Sequence, residues 1–138
     1  MKVGRDQLSK VVLAVGVVVV VIVAAVMFTG KGKDAQAKID STRTELNQLV
    51  VELTKYNDDC EIYPSTTQGF AALNTQATGQ ANCKNWRGPY SKKTVFIDGW
   101  GHPLKYESDG TSYTLLSYGA DGKEGGEGYD KDITFEAY

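Results

Sequence analysis

The distribution of apolar residues divides the chain into one continuous apolar run and a longer mixed segment. The run, Val11–Phe28, has 18 residues with the sequence VVLAVGVVVVVIVAAVMF. A helix of this length is just sufficient to cross the hydrocarbon core of a bilayer, where the backbone can bond only to itself. We therefore predict a transmembrane helix over residues 11–29, preceded by a cytoplasmic segment, residues 1–10. A cleaved secretory signal is the alternative interpretation.

Beyond an interruption at residues 29–32, apolar positions recur at spacings of three and four residues, which is typical of one buried helix face. These positions are Ile39, Thr42, Leu46, Leu49, Val50, Leu53 and Tyr56. A second helix is predicted over about residues 34–57, with Asp34 as its N-cap. The apolar face of this helix requires a partner, which the rest of residues 30–138 must supply.

After a variable region, residues 58–93, short extended runs alternate with turn residues. A short helix is predicted over Ser65–Leu73, capped by its first residue. Strands are predicted over Thr94–Ile97, Leu104–Glu107 and Thr111–Ser117. About three antiparallel strands would cover the helix face, so the predicted fold class is α+β, a long amino-terminal helix packed on a small antiparallel sheet.

The only two cysteines, Cys60 and Cys83, have no nearby histidine that would complete a metal site. A disulfide between them would close a loop of about 24 residues and stabilise the fold by about 3 kcal/mol. Such a bond persists in an oxidising compartment, which places the residues beyond 30 in a periplasm or outside the cell. Two free buried thiols are the alternative.

Charge and motifs argue against two functional classes. The formal net charge of −2 arises from 15 basic and 17 acidic residues, so no strong field attracts nucleic acid. The single histidine, His102, occurs in a turn context and is expected to face solvent rather than act as a base. GxSxG, P-loop and HExxH motifs are absent from the sequence. The chain is therefore interpreted as neither an enzyme nor a nucleic-acid-binding protein.

The segment Asp121–Asp132 is rich in acidic residues and glycine. It contains five acidic side chains and four glycines among twelve residues. Charge repulsion and glycine entropy disfavour an ordered loop unless a cation compensates the charge. Ca²⁺ accepts about six to eight oxygen ligands, including backbone carbonyls. Composition alone leaves two interpretations open, a flexible solvated loop and a calcium-binding loop, and Lys123 at the third position excludes an EF-hand.

Five short motifs follow one another between Tyr56 and Ile133. They are Tyr63–Leu73 (YPSTTQGFAAL), Trp86–Tyr90 (WRGPY), Asp98–Pro103 (DGWGHP), Leu116–Gly122 (LSYGADG), and Glu124–Gly128 (EGGEG) followed by Asp132 and Ile133. In this order they resemble the motifs YPTxxQGLxAL, WxGPY, DPWGxP and SLGADGxxGGxGxxxDI of the major pseudopilins of bacterial type II secretion. The amino terminus differs, since Gly4 is followed by Arg5-Asp6-Gln7-Leu8-Ser9 rather than by a GFTLIE-like segment.

The resemblance implies a pilin-like fold with a calcium loop near its carboxyl end. Carried onto this sequence, it implies that Asp121 and Asp132 bind Ca²⁺ through their side chains. The carbonyl group of Leu116 is a further implied ligand, and Asp130 or Ser117 could add another.

The resemblance also implies a structural filament subunit of the type II secretion pseudopilus or of a pilus-like fibre. Such a subunit forms a helical homopolymer through its amino-terminal helices. It is a single-pass protein of the inner membrane with its carboxyl-terminal domain in the periplasm or outside the cell. The implied partners are the secretion or pilus assembly platform and the minor pseudopilins. The alternative is a membrane-tethered pilin-like adaptor or minor subunit that does not polymerise.

Overall fold

The computed structural model describes the backbone of residues 5–76 and 83–137, and the side chains of residues 32–76 and 83–137. The elements are helix α1, Arg5–Cys60; a 3-10 helix, Gly69–Leu73; and strands β1, Lys105–Ser108, β2, Tyr113–Ser117, and β3, Ile133–Ala137. The strands form one antiparallel sheet in the order β1-β2-β3. The predicted α+β class is confirmed.

Helix α1 differs from the prediction at both of its expected boundaries. It has no interruption at residues 29–32, passes through Asp34 and ends at Cys60 rather than at Asn57. The predicted N-cap at Asp34 was therefore wrong. Each glycine in a helix costs about 1 kcal/mol relative to alanine, but only proline also removes a backbone donor and clashes with the preceding turn. Residues 29–32 contain no proline.

The predicted membrane span falls on residues whose side chains lie outside those described. Among the residues that the structure does describe, no helix is long and apolar enough to cross a membrane. The span over residues 11–29 therefore stays a prediction.

The apolar face predicted for α1 forms one side of the core. Leu46, Leu49, Leu53 and Tyr56 are buried on this face. They belong to one cluster with residues from the rest of the body, namely Ala72, Leu73, Phe96, Leu104, Tyr113 and Leu115. Removing a leucine side chain from water contributes about 1.5–3 kcal/mol, so this face accounts for the docking of α1 on the sheet.

The sheet contains a strand that the sequence reading missed. Strand β2 is central and alternates buried and half-buried residues, with Lys105 opposite Leu116 on one side and Ile133 opposite Ser117 on the other. Its second neighbour is β3, whereas the predicted strand Thr94–Ile97 forms only one isolated bridge, from Ile97 to Pro103. That segment pairs locally within a short turn, where Asp98 N donates to the carbonyl of His102 at 2.9 Å.

The predicted disulfide between Cys60 and Cys83 is confirmed. Beside it, the Asp59 carboxylate accepts hydrogen bonds from Arg87 Nε at 2.8 Å and from the hydroxyl of Tyr90 at 2.8 Å. Hydrogen bonds from the Arg87 guanidinium, followed by that from Tyr90, lower the pKa of Asp59. The end of α1 is thus fastened to the region after the second cysteine by a covalent bond and an ion pair.

A tight turn replaces the start of the short helix predicted at Ser65. The backbone N–H of Ser65 donates to Gln68 Oε1 at 2.7 Å, and Gln68 N donates to the carbonyl of Ser65 at 3.0 Å. Helical geometry, of the 3-10 type, begins only at Gly69. Gln68 N also lies 3.4 Å from Ser65 Oγ, so the side chains of Ser65 and Gln68 each accept from the other's backbone N–H, as in a capping box.

Candidate metal site in the loop before the last strand

The acidic loop joins two neighbouring strands of the sheet. Strand β2 ends at Ser117, β3 begins at Ile133, and these two residues are partners in the antiparallel register. The register therefore brings the predicted residues Leu116 and Ser117 beside the chain that follows Asp132. Two parts of the predicted ligand set that are distant in sequence are adjacent in the fold.

Backbone hydrogen bonds close the loop on itself. Ala120 N donates to the carbonyl of Tyr129 at 2.9 Å, and Asp132 N donates to the carbonyl of Gly125 at 3.3 Å. Gly119 and Gly126 both have positive φ, and a methyl group added at either would lie 2.6 Å from the carbonyl oxygen of Asp130. These close approaches require glycine, so the glycines permit the compact loop rather than only loosening it.

The two principal predicted ligands each bond to a nearby backbone donor. Asp121 Oδ1 accepts from Lys123 N at 3.1 Å, and Asp132 Oδ2 accepts from Gly125 N at 3.0 Å. The second oxygen of Asp132, Oδ1, is buried and has no hydrogen-bond partner. A buried carboxylate oxygen without a partner is costly, and a hard cation is the group that such an oxygen binds best. This orphaned oxygen fits a calcium ion.

The remaining predicted ligands are placed less directly. Asp130 is exposed, and its backbone carbonyl packs against two loop glycines. The hydroxyl of Ser117 donates to Asp98 Oδ2 at 2.7 Å and accepts from Gly119 N at 3.2 Å. Leu116 is half-buried in β2. The structure thus brings Asp132, Leu116 and Ser117 to one end of the loop, while the Ser117 hydroxyl already has two partners.

Within the part of the chain that the structure describes, no three histidine, cysteine, aspartate or glutamate side chains form a metal-binding cluster. Glu124 and Glu127 are exposed. A Ca²⁺ ion takes about six to eight oxygens, so two carboxylates would have to be joined by backbone carbonyls and water. This donor chemistry suits Ca²⁺ better than Zn²⁺, which prefers nitrogen and sulfur.

One residue of this region was missed by the sequence reading. Asp98 is buried, and its Oδ1 accepts from the backbone N–H groups of Trp100 and His102, both at 2.9 Å. The sequence signal was Asp98-Gly99, a pair typical of turns in which the aspartate bonds to backbone two residues on. His102, expected to face solvent, is half-buried, and its Nδ1 lies 3.1 Å from the carbonyl oxygen of Gly119.

Comparison with known proteins places this fold and loop in a family. Residues 30–136 match the family described as Type II secretion system (T2SS), protein G. The chain is 36% identical to Type II secretion system core protein G of Pseudomonas aeruginosa over 129 residues, which cover 92% of this chain and 88% of the relative. The protein of the same description from Vibrio cholerae is 35% identical over 138 residues, covering 96% of this chain and 94% of the relative.

A solved structure shows the same architecture. The crystal structure of the major pseudopilin from the type 2 secretion system of enterohaemorrhagic Escherichia coli has a TM-score of 0.61 and 29% identity, covering 75% of this chain and 90% of that chain. The long helix packed on a small antiparallel sheet defines a pilin-like protein. Within that class, the chain belongs to the protein G family of the type II secretion system, the family of the major pseudopilin.

Proposed function

We propose that this chain is a structural subunit that polymerises into a pseudopilus for type II protein secretion. The observation that carries the proposal is the match of residues 30–136 to the protein G family, on the fold of a major pseudopilin. The role is structural, since a filament subunit contributes surfaces and stability rather than chemistry. Its proposed partners are other copies of the chain, the assembly platform and the minor pseudopilins.

We further propose that the subunit is anchored in the inner membrane with its body in the periplasm. The apolar run Val11–Phe28 has the length and composition that a membrane-spanning helix requires. The disulfide between Cys60 and Cys83 supports an oxidising compartment for the body. The amino terminus then lies in the cytoplasm.

Fibre formation tests the first proposal. The full chain would be produced together with a type II secretion apparatus, and fibres would be detected by immunoelectron microscopy. We expect fibres from the unaltered chain and from Val19→Leu, which keeps the run apolar. Val19→Arg should abolish them, because a cation at the middle of an apolar helix costs about 2.5–3.5 kcal/mol on insertion. A full-length chain that stays in the membrane without fibres would favour the non-polymerising adaptor instead.

We also propose that the loop binds Ca²⁺ through Asp121 and Asp132, completed by carbonyl oxygens such as that of Leu116. Bound Ca²⁺ would supply the positive charge that offsets the loop carboxylates. The buried and unpartnered Oδ1 of Asp132 supports the proposal. The residues of the chain hold the loop closed, and the ion has no catalytic part in this function.

Thermal unfolding tests the metal site. We expect the melting temperature of the full chain in detergent to be higher with Ca²⁺ than with a chelator, because a ligand that binds only the folded state stabilises it. Asp132→Asn should remove most of this difference. Glu124→Gln removes the same charge from an exposed position of the same loop and should preserve it. Equal melting temperatures with Ca²⁺ and chelator would refute the site.

A further inference from the structure

The Asp98 carboxyl group is enclosed between the acidic loop and the turn that carries it. Its side chain has no exposed surface. Oδ1 accepts the two backbone N–H groups of the turn, and Oδ2 accepts the hydroxyl of Ser117 at 2.7 Å. The Nδ1 atom of His102 also lies near this oxygen, 3.5 Å from Asp98 Oδ2. A carboxylate has about four lone-pair directions, so the three hydrogen bonds from Trp100 N, His102 N and Ser117 Oγ use most of its capacity.

Two routes connect this carboxyl group to the backbone of Gly119, two residues before Asp121. In the first, the Ser117 hydroxyl that donates to Asp98 accepts from Gly119 N at 3.2 Å. In the second, the backbone N–H of His102 donates to Asp98 Oδ1, and Nδ1 of the same residue lies 3.1 Å from the carbonyl oxygen of Gly119. A carbonyl oxygen can only accept, so Nδ1 carries the hydrogen and donates it.

The ring of His102 also covers the next turn of the loop. A methyl group added at Gly122 would lie 3.2 Å from the Cε1 atom of the ring. Gly119 precedes Ala120 and Asp121, and Gly122 follows them. The side chains of Ser117 and His102 therefore contact the backbone before and after Asp121. The side chain of Asp121 itself is exposed, and its one described hydrogen bond comes from Lys123 N. Its position therefore depends on how its backbone is held.

We propose that Asp98 is a positioning residue for the calcium site: through Ser117 and His102 it fixes the turn that presents Asp121, without binding the ion itself. The inference rests on the proposed calcium site. In this proposal Asp121, in the loop, binds the ion, and the turn at residues 98–102 orients Asp121. Residues that orient metal ligands in this way typically contribute about 10- to 100-fold to metal affinity.

Calcium titration and ion hydration together test the proposal. The affinity of the full chain in detergent for Ca²⁺ would be measured by isothermal titration calorimetry. The number of water molecules on bound Eu³⁺ would be measured from its luminescence lifetimes in H₂O and D₂O. We expect Asp98→Asn to weaken Ca²⁺ binding about 10- to 100-fold and to leave the number of ion-bound waters unchanged.

Asp109→Asn is the matched control. Asp109 also closes a turn through its carboxylate, accepting from Thr111 N at 2.9 Å and Ser112 N at 2.8 Å, but it lies between β1 and β2, outside the loop. Its replacement should leave the calcium affinity unchanged. A calcium affinity of Asp98→Asn equal to that of the unaltered chain would overturn the proposal. An added water on Eu³⁺ in this variant would make Asp98 a ligand and would overturn it as well.

A second pair of variants covers the case in which Asp98→Asn fails to fold. His102 is half-buried, so its replacement perturbs the fold less. His102→Ala should weaken Ca²⁺ binding, whereas His102→Asn places an amide N–H close to the position of Nδ1 and should restore most of the affinity. Equal affinities for these two variants and the unaltered chain would refute the coupling. If the unaltered chain bound neither Ca²⁺ nor Eu³⁺, the calcium site itself would fail, which is a separate result.

Discussion

At the residue scale, the buried acidic side chains of the body differ in how their oxygens are satisfied. Asp59 is held by a guanidinium and a phenol, and Asp98 by backbone and hydroxyl donors. Glu52 Oε2 and Asp132 Oδ1 are buried without a hydrogen-bond partner. A buried acceptor of the last kind is rare in folded proteins. Glu52 lies on α1, whereas Asp132 lies in the acidic loop, so the Asp132 oxygen is the one that supports a cation in that loop.

The ion pair of Asp59 predicts a particular dependence of stability on pH. Its pKa is lowered from the ordinary value of 3.8 by the hydrogen bonds from Arg87 and Tyr90. Its contribution to stability is therefore present above that value and is lost as the pH falls through the lower pKa of the folded state. We expect Asp59→Asn to lower the melting temperature at neutral pH, and the deficit to shrink as the pH is brought below 3.8.

Asp58→Asn is the control for this prediction, since Asp58 is the preceding residue on α1 and is exposed. Melting temperatures would be measured by circular dichroism between neutral pH and about pH 3. A deficit of Asp59→Asn that is independent of pH, or equal to that of Asp58→Asn, would contradict the role assigned to the ion pair.

Alanine substitutions at two glycines of the acidic loop distinguish the cost of backbone strain from the cost of a steric clash. Gly119 and Gly128 have φ of +65° and +61°, so alanine is strained at both. Only at Gly119 would the new methyl group meet another atom, the Asp130 carbonyl oxygen at 2.6 Å. Gly128→Ala should cost about 1–2 kcal/mol for the left-handed conformation alone. Gly119→Ala should cost clearly more in chemical denaturation, and equal losses would mean that the loop is not closed as described.

At the scale of elements, the contact of α1 with the turn at residues 98–102 depends on one side chain. Gly99 N donates to the hydroxyl of Thr42 at 2.9 Å, and Thr42 donates in turn to the carbonyl of Lys38 at 2.8 Å. A methyl group at Gly99 would lie 2.2 Å from that same carbonyl oxygen, so the turn touches the backbone of the helix. Glycine at this position allows the close approach.

Thr42→Val tests the contact while keeping the shape of the side chain. The change leaves the half-buried N–H of Gly99 without its acceptor, which should cost about 1 kcal/mol or more. Thr44→Val is the matched control, because Thr44 makes the same hydrogen bond to the carbonyl four residues earlier but is exposed. Its effect on the free energy of unfolding should stay within about 0.5 kcal/mol. Similar effects of the two variants would contradict the proposed contact.

At the scale of the whole molecule, one covalent bond fastens the end of the long helix to the body. Cys60 is the last residue of α1, and both Cys60 and Cys83 are buried. The Asp59–Arg87 ion pair lies beside the bond and acts on the same two segments. A subunit that must keep its shape within a filament benefits from this cross-link, because the bond restricts the unfolded chain.

Removal of the disulfide should lower the stability of the body measurably. We expect the double variant Cys60→Ser with Cys83→Ser to lose about 3 kcal/mol in free energy of unfolding, according to the loop-entropy relation. Chemical denaturation followed by near-ultraviolet circular dichroism measures the loss. The unaltered chain under reducing conditions should show the same deficit. A double variant as stable as the oxidised chain would show that the bond contributes no stability.

The sequence alone determined three features of the chain: the buried face of α1, the disulfide and the family. The spacing of apolar residues identified the buried face of α1, the two cysteines identified the disulfide, and the ordered motifs identified the family. Each of these is carried by neighbouring residues or by the presence of a chemical group. A buried helix face can be predicted from sequence because side chains three and four residues apart lie on one side of a helix.

Only the tertiary structure decided which extended segments pair and which polar groups meet. The alternation of Ile133, Phe135 and Ala137 was visible in the sequence, yet assigning β3 rather than Thr94–Ile97 to the sheet depends on hydrogen bonds between distant segments. The same holds for Asp98, whose partner Ser117 is 19 residues away. Strand pairing and buried polar networks are selected by the whole packed body, and no local pattern encodes them.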